Sequence, residues 1–357
     1  MNTRVQEPSV VASWPSVPVE IVRAAGFRAV IARGAPDPTP AADAHLEPGI
    51  FPSRLRHLVE DVLAGRLSDA ALIVIPRTSD ADYKCFLYLR EFVRKGLATA
   101  PIVLFDLLQS RGAEVRNHDV ARTRALLDTL ASRSGRIPSA DDIRREITRA
   151  NAARAAARRL VALRRIVPRV TGSAAFRLLA AFWEMEPDRY VEMANEAANR
   201  IAAGPPLAGP RVLLTGAPVD GQALHEAIES HGAIVVAEVG PWGSSAAGDD
   251  VPLDDDPVAA LSDKYRTDSI GARTPVDSLR GWTARMLEDV DAVVVSLPPD
   301  DAVFGWDYPA LRDVLKARRI PHVCLRGDQH LAPTPAEHVQ LGAMVSAASQ
   351  LQETRRG

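Results

Sequence analysis

The chain has 357 residues, 46% hydrophobic and 25% charged, the composition of a folded globular protein rather than a disordered one. Its 43 basic and 45 acidic side chains leave a net charge of −2, so no basic excess argues for nucleic acid as a partner. No apolar run reaches the roughly 18 residues of a membrane span, and residues 1–19 lack the apolar core of a signal peptide, so a cytoplasmic protein is expected.

Taken in order, residues 17–25 read as a helix and 27–32 as a short strand. Residues 54–64 are amphipathic, with Leu55, Leu58, Val59, Val62 and Leu63 on one face. The apolar run 71–76 reads as a strand buried on both faces, 83–95 as the helix after it and 101–105 as a further strand. This order predicts a parallel sheet covered by helices. A helical stretch follows, with helices at 120–132, from Ser139 to about 166, 174–185 and 187–203. Ser139 suits an N-cap, Asp141 and Asp142 suit the first turn, and Pro168 stops the chain beyond. The long helix carries Arg144, Arg145, Arg149, Arg154, Arg158, Arg159, Arg164 and Arg165, either an anion-binding stripe or a solvated face around an Ala/Leu seam.

The Pro/Gly-rich stretch 204–210 reads as a linker. The strand–helix rhythm then restarts: strand 211–215, helix 220–231, strand 233–239, an acidic loop at 249–256, helix 274–289 with Pro275 at its first position, strand 292–297, helix 308–318, strand 321–325 and helix 335–350, with the last residues frayed. The expected fold is α/β, two flavodoxin-like doubly wound parallel-sheet lobes with an added long-helix region. The expected domains are residues 1–203, with the helical region at about 119–203, and residues 204–357. Ligands of such sheets bind beyond the carboxyl ends of the strands. If the two halves face each other, the cleft between them is the place to look.

Several stretches together resemble one family. They are Val17-Pro18-Val19-Glu20-Ile21-Val22-Arg23-Ala24-Ala25-Gly26; Gly135-Arg136-Ile137-Pro138 with Asp142-Ile143, Ile147 and Asn151-Ala152-Ala153-Arg154; Pro168-Arg169-Val170-Thr171-Gly172-Ser173; Arg211-Val212-Leu213-Leu214-Thr215-Gly216 with Ile228-Glu229-Ser230-His231-Gly232-Ala233; Asp291-Ala292-Val293-Val294-Val295; and Arg319-Ile320-Pro321-His322-Val323. In order and spacing the chain resembles the 2-hydroxyacyl-CoA dehydratase and benzoyl-CoA reductase subunit family. The resemblance implies heteromeric assemblies that bind an acyl-CoA thioester near a 4Fe–4S cluster, with an ATP-dependent activator delivering one electron. Dehydratases of this kind expel a hydroxyl group through a ketyl radical; the reductases reduce an aromatic ring.

The chain departs from that family at the cluster. The resemblance places cysteines near Phe51-Pro52-Ser53, at Ser79 before Asp80, and at Pro299 before Asp300, and none of these positions has one. Serine is a poor iron ligand, and proline has no side-chain donor. The chain's two cysteines, Cys85 and Cys324, make no disulfide framework and no zinc spacing. Cys85 falls inside a predicted helix and Cys324 in an apolar strand, where a thiol behaves as a small hydrophobe. The expectation is therefore a chain with no metal site and no cofactor of its own, the 4Fe–4S cluster residing in a cysteine-bearing homologous subunit.

Ser79 and Asp80 end a buried strand and read either as a pocket wall or as a helix cap. Thr171, Gly172 and Ser173 precede a helix, so their N–H groups either meet an anion or carbonyl oxygen or serve capping alone. Glu238 ends a strand, as a general base if desolvated or as a solvated carboxylate. With Pro299 and Asp300 these are the candidate substrate-binding residues; no catalytic residue is assigned. His118, His225 and His231 have no partner at useful spacing and read as non-catalytic. Gly216-Ala217-Pro218-Val219-Asp220-Gly221 is not a dinucleotide fingerprint, and neither a P-loop lysine nor a G-x-S-x-G elbow is present. The functional expectation is a cluster-less subunit that helps form an acyl-CoA site. The alternatives are a stand-alone acyl-CoA or metabolite-binding protein without redox chemistry and, last, a new non-redox enzyme on the same fold.

Overall fold

Short β-branched runs followed by amphipathic helices build two four-stranded sheets, both entirely parallel. The computed structural model describes residues 8–356 apart from 48, 111, 247, 269, 270, 300, 302 and 329. It divides into two compact units, Met1–Asn151 with Asp249–Ser269, and Ala152–Gly248 with Ile270–Gly357. The Pro/Gly-rich stretch at 204–210 precedes the second sheet, whereas the division between units falls inside the long helix and again on either side of 249–269.

The first unit begins with β1 (Ser9–Ala12), α1 (Val19–Ala24), β2 (Arg28–Ile31), α2 (Pro40–Asp43), α3 (Ser53–Leu63), β3 (Leu72–Pro76), α4 (Asp80–Arg94), β4 (Ile102–Phe105), α5 (Ala113–Ser134) and α6 (Ala140–Arg165), of which α6 continues into the second unit. Strand order is β2-β1-β3-β4. β1 is central, with Val11 opposite Val30 on one side and Ile73 on the other. It is not among the predicted strands, because four residues beside Trp14-Pro15 give too short a signal. Alternation along β3 sends Ile73 and Ile75 to one face, where they pack with Leu55, Leu58, Val59 and Val62 of α3 and Cys85, Leu89 and Phe92 of α4. Leu72 and Val74 are equally buried, so both faces of the strand are covered. α6 starts as expected: Ser139 Oγ accepts from Asp142 N, and the Asp142 carboxylate accepts from Ser139 N and Oγ.

The chain continues with α7 (Gly172–Ala180), α8 (Pro187–Ala203), β5 (Arg211–Gly216), α9 (Ala223–Glu229), β6 (Ile234–Glu238), α10 (Pro257–Asp268), α11 (Val276–Met286), β7 (Ala292–Leu297), α12 (Tyr308–Ala317), β8 (His322–Arg326) and α13 (Pro335–Arg356). Strand order β6-β5-β7-β8 repeats that of the first sheet. Leu213, Val236, Val293, Val295 and Leu297 form its core with Met286 and Leu315. α10 was not foreseen. It belongs to the first unit, where Tyr265 donates to the buried Glu20 carboxylate at 2.8 Å. Pro275 is the N-cap of α11 rather than its first helical residue, and α13 runs to Arg356 rather than stopping at 350.

β5, central in the second sheet, ends at a glycine for a physical reason. Gly216 has φ +103°, and a Cβ there would overlap the Ser296 carbonyl of the neighbouring strand. Gly216→Ala is expected to lower stability by about 1–3 kcal/mol through strain and overpacking. A urea midpoint unchanged from the parent chain would contradict this.

Candidate functional site

In both sheets the chain reverses its winding between the first and third strands, so the carboxyl ends of β1 and β3, and of β5 and β7, are the switch points where such folds hold ligands. In the first unit, Asp82 organises that edge. One carboxylate oxygen accepts from Thr78 N (3.0 Å), Thr78 Oγ1 (2.6 Å) and Ser79 Oγ (2.9 Å). The other accepts from Arg54 at 2.6 Å. Arg54 also donates to the Ser13 carbonyl and lies over the Trp14 ring, 4.7 Å from its centroid, so it ties the end of β1 to the end of β3. Ser79 is the N-cap of α4: Asp82 N donates to its Oγ at 3.2 Å, which is why the helix begins at Asp80, three residues before the predicted start. Asp80 points to solvent. Arg77, between them and the sheet, bonds Asp106 beyond β4 and stacks on Tyr83. Two further hydroxyls at the end of β1, Ser13 and Ser16, are buried with no hydrogen-bond partner among the described residues.

In the second unit Glu238, the last residue of β6, has no solvent-accessible surface. Arg164 of α6 donates to both its oxygens, at 2.7 and 3.0 Å. Ser244 N donates to Oε1 at 2.6 Å, and His225 Nε2 lies 3.1 Å from Oε2 with its ring against Phe176. Since an ionised carboxylate only accepts, His225 carries a proton on Nε2. Burial alone would raise the Glu238 carboxyl, but the Arg164 guanidinium and His225 hold it well below the usual carboxylate range. Both oxygens of Glu238 thus bond donors of the chain itself. Thr171, Gly172 and Ser173 have a comparable fate: Thr171 Oγ1 caps α7, and the Glu229 carboxylate accepts from Gly172 N, Ser173 N and Ser173 Oγ. A helix N-terminus that could meet an anion meets one supplied by α9.

Pro299 is exposed in the turn after β7, and Asp300 lies outside the described residues. Asp301 accepts from Phe304 N and Gly305 N and closes the short 3-10 turn that follows. The structure adds a group that sequence spacing did not isolate. His330, beyond β8, has Nε2 3.3 Å from Asp220, beyond β5, and Nδ1 3.4 Å from Asp328. The one available signal was position, since Asp220 and Asp328 both follow strands. The arginines of α6 are engaged within the chain: Arg144 with the Asp254 and Asp255 carbonyls, Arg158 with the Gly248 carbonyl, Arg159 with Asn195 and Asn199, and Arg165 with Asp289. Among the described residues, no helix is long and apolar enough to cross a membrane.

The architecture, two parallel sheets of one order joined through a long helix, agrees with a comparison against protein families. The family model for the 2-hydroxyglutaryl-CoA dehydratase D-component matches residues 16–341. The chain belongs to this family. No curated protein matches it.

The 4Fe–4S cluster implied by the resemblance demands soft thiolate donors, and the side chains at the corresponding positions do not fit it. Ser79 Oγ is fixed by Asp82, Ser53 Oγ donates to the Ala35 carbonyl, and Pro299 offers no donor. Cys85 is fully buried in the core between α3 and α4, and burial, with Asp82 nearby, pushes its thiol well above the usual range. Cys324 is half-buried in β8 and pushed up by burial as well.

The buried pair is testable. Removing one partner, by Glu238→Gln or Arg164→Met, leaves the other charge uncompensated and is expected to cost about 3–5 kcal/mol. Replacing both with methionine should cost less than either single change. Because the Glu238 pKa is depressed on folding, its contribution is complete above pH 4.5, the ordinary glutamate value, and is lost as pH falls below it. Denaturant midpoints for the parent and variants between neutral pH and pH 3 measure both effects; an equal acid slope in Glu238→Gln and parent would contradict the assignment.

Proposed function

We propose that this chain is a subunit of a 2-hydroxyacyl-CoA dehydratase- or benzoyl-CoA reductase-like complex that holds no iron–sulfur cluster of its own. A cysteine-bearing homologous subunit carries the 4Fe–4S cluster, and the ATP-dependent activator acts through the complex. When bound there, the cluster supplies one-electron chemistry to the acyl-CoA thioester. The part of this chain is to dock that subunit and to help complete its acyl-CoA site with loops beyond the carboxyl ends of the strands.

One observation supports this reading above the others. The family's match extends over residues 16–341, yet Ser79, where the resemblance implies a cluster cysteine, is committed to capping α4 through Asp82. A fold kept over nearly the whole chain, with its thiolate position converted to a cap, suits a partner that contributes surface rather than electrons.

The test is anaerobic purification of the chain alone and co-expressed with a cysteine-bearing homologue. The expected result is a heteromer whose iron and acid-labile sulfide belong to the partner, with substoichiometric iron on the lone chain. About four irons per lone chain, the content of one cluster, would overturn the proposal. Tight calorimetric binding of CoA thioesters by the lone chain, with no heteromer formed, would replace it with a stand-alone metabolite-binding role.

A further inference from the structure

We propose that His330, as an imidazolium held between Asp220 and Asp328, is a pH-operated clasp across the switch point of the second sheet. Asp220 lies in the loop after Gly216, the last residue of β5, and His330 in the loop after Arg326, the last residue of β8. β7 stands between those two strands in the order β6-β5-β7-β8. The contact from His330 to Asp220 therefore passes over the carboxyl end of β7, beside the β5–β7 edge where such sheets hold ligands.

The distances select the charged ring. Nε2 stands 3.3 Å from Asp220 Oδ1 and Nδ1 3.4 Å from Asp328 Oδ1. An ionised carboxylate only accepts; a neutral imidazole has one N–H and the imidazolium two. Only the charged ring serves both carboxylates, since a neutral one turns a lone pair on one of them. Burial works against this charge, for the ring is 7% exposed and Asp220 12%, but two carboxylates in contact work for it, and the 44% exposed Asp328 keeps water on the group. The turn is shaped for the purpose: Asp328 Oδ1 also accepts from His330 N at 2.8 Å, and the Asp328 carbonyl accepts from Leu331 N. The other charged groups near these loops have contacts of their own. Asp301, beyond β7, accepts from Phe304 N and Gly305 N, Glu337 of α13 from Thr334 N and Oγ1, and Glu238 of β6 from Arg164; Arg326 lies beside Gly305. As pH rises, one ring proton passes to solvent, one of the two contacts is lost, and the loops after β5 and β8 part. The clasp is closed in acid and opens toward alkaline pH, the reverse of the Glu238 pair. While it is shut, both nitrogens are committed, so the ring is not a base toward a ligand.

Two measurements on the full chain alone test this, and neither uses a partner or a thioester, so failure here is distinct from failure of the subunit role. In the first, the imidazole of His330, assigned as the resonance missing from His330→Gln, is titrated by NMR. Its midpoint is expected above the free histidine value of about 6.5, and nearer to that value in Asp220→Asn and in Asp328→Asn. A midpoint below about 6.5 in the parent, or one unmoved in both variants, overturns the proposal. In the second, amide hydrogen exchange over 216–224 and 326–332 is compared between parent and His330→Gln at the same pH, which cancels intrinsic base catalysis. At pH 6 the parent is expected to exchange about tenfold more slowly; at pH 9 the two should coincide. An equal difference at both pH values, or none at either, overturns it. Circular dichroism checks the fold, and if His330→Gln folds poorly, Asp328→Asn on its exposed loop takes its place with the same outcomes.

Discussion

A buried carboxylate matched to one arginine closes the carboxyl edge of each sheet, and the rest of the structure is arranged around that constraint. In the first sheet Asp82 meets Arg54; in the second Glu238 meets Arg164. A buried charge is tolerated only when it is paired and its remaining lone pairs are bonded. Each site meets this condition with hydroxyls and backbone N–H groups from the loop after a strand: Thr78 and Ser79 in one, Ser244 in the other. These pairs do more than stabilise. Arg54 fastens the end of β1 to α4 at the first switch point, and Arg164 fixes the end of α6 to β6, the edge strand beside the second. The cost is that the carboxylates nearest the edges are not free for ligand chemistry.

The sheets were legible from the sequence wherever a strand was buried on both faces. The runs at 71–76 and 292–297 are continuous apolar segments, and the structure places strands there with at most a one-residue difference. β1 was not legible, although it is central, because four residues flanked by Trp14 and Pro15 carry no periodicity to measure. α10 escaped for a different reason: its polar residues Ser262, Asp263 and Lys264 break the apolar pattern, and its stability comes from contacts with distant elements such as Tyr265 on Glu20.

The candidate residues were legible as positions but not as partners. Glu238 was correctly placed at a strand end, but its enclosure depends on Arg164 and His225, and no spacing rule links 164, 225 and 238. Ser79 and Thr171 were legible as caps, because a cap is a local device that needs only the next three residues. The occupant of the Thr171 turn was not, since Glu229 is 58 positions away from it in sequence and arrives only through the packing of α7 on α9. His231 failed the test of useful spacing for the same reason: its neighbour His338 comes from the last helix.

This difference between local and distant constraints bears on how a family member can part with a metal ligand and keep its fold. A thiolate after a strand serves the cluster and little else, so its replacement leaves a loop end with unsatisfied helix N–H groups. Serine answers that need better than cysteine, because its oxygen both accepts from Asp82 N and donates to the Asp82 carboxylate at hydrogen-bond distances. Once Asp82 is ordered this way, Arg54 has its counter-charge and the first switch point is locked. Ser79→Cys would then weaken a cap and a buried ion pair without supplying the other donors, since Ser53 is held by Ala35 and Pro299 has nothing to offer.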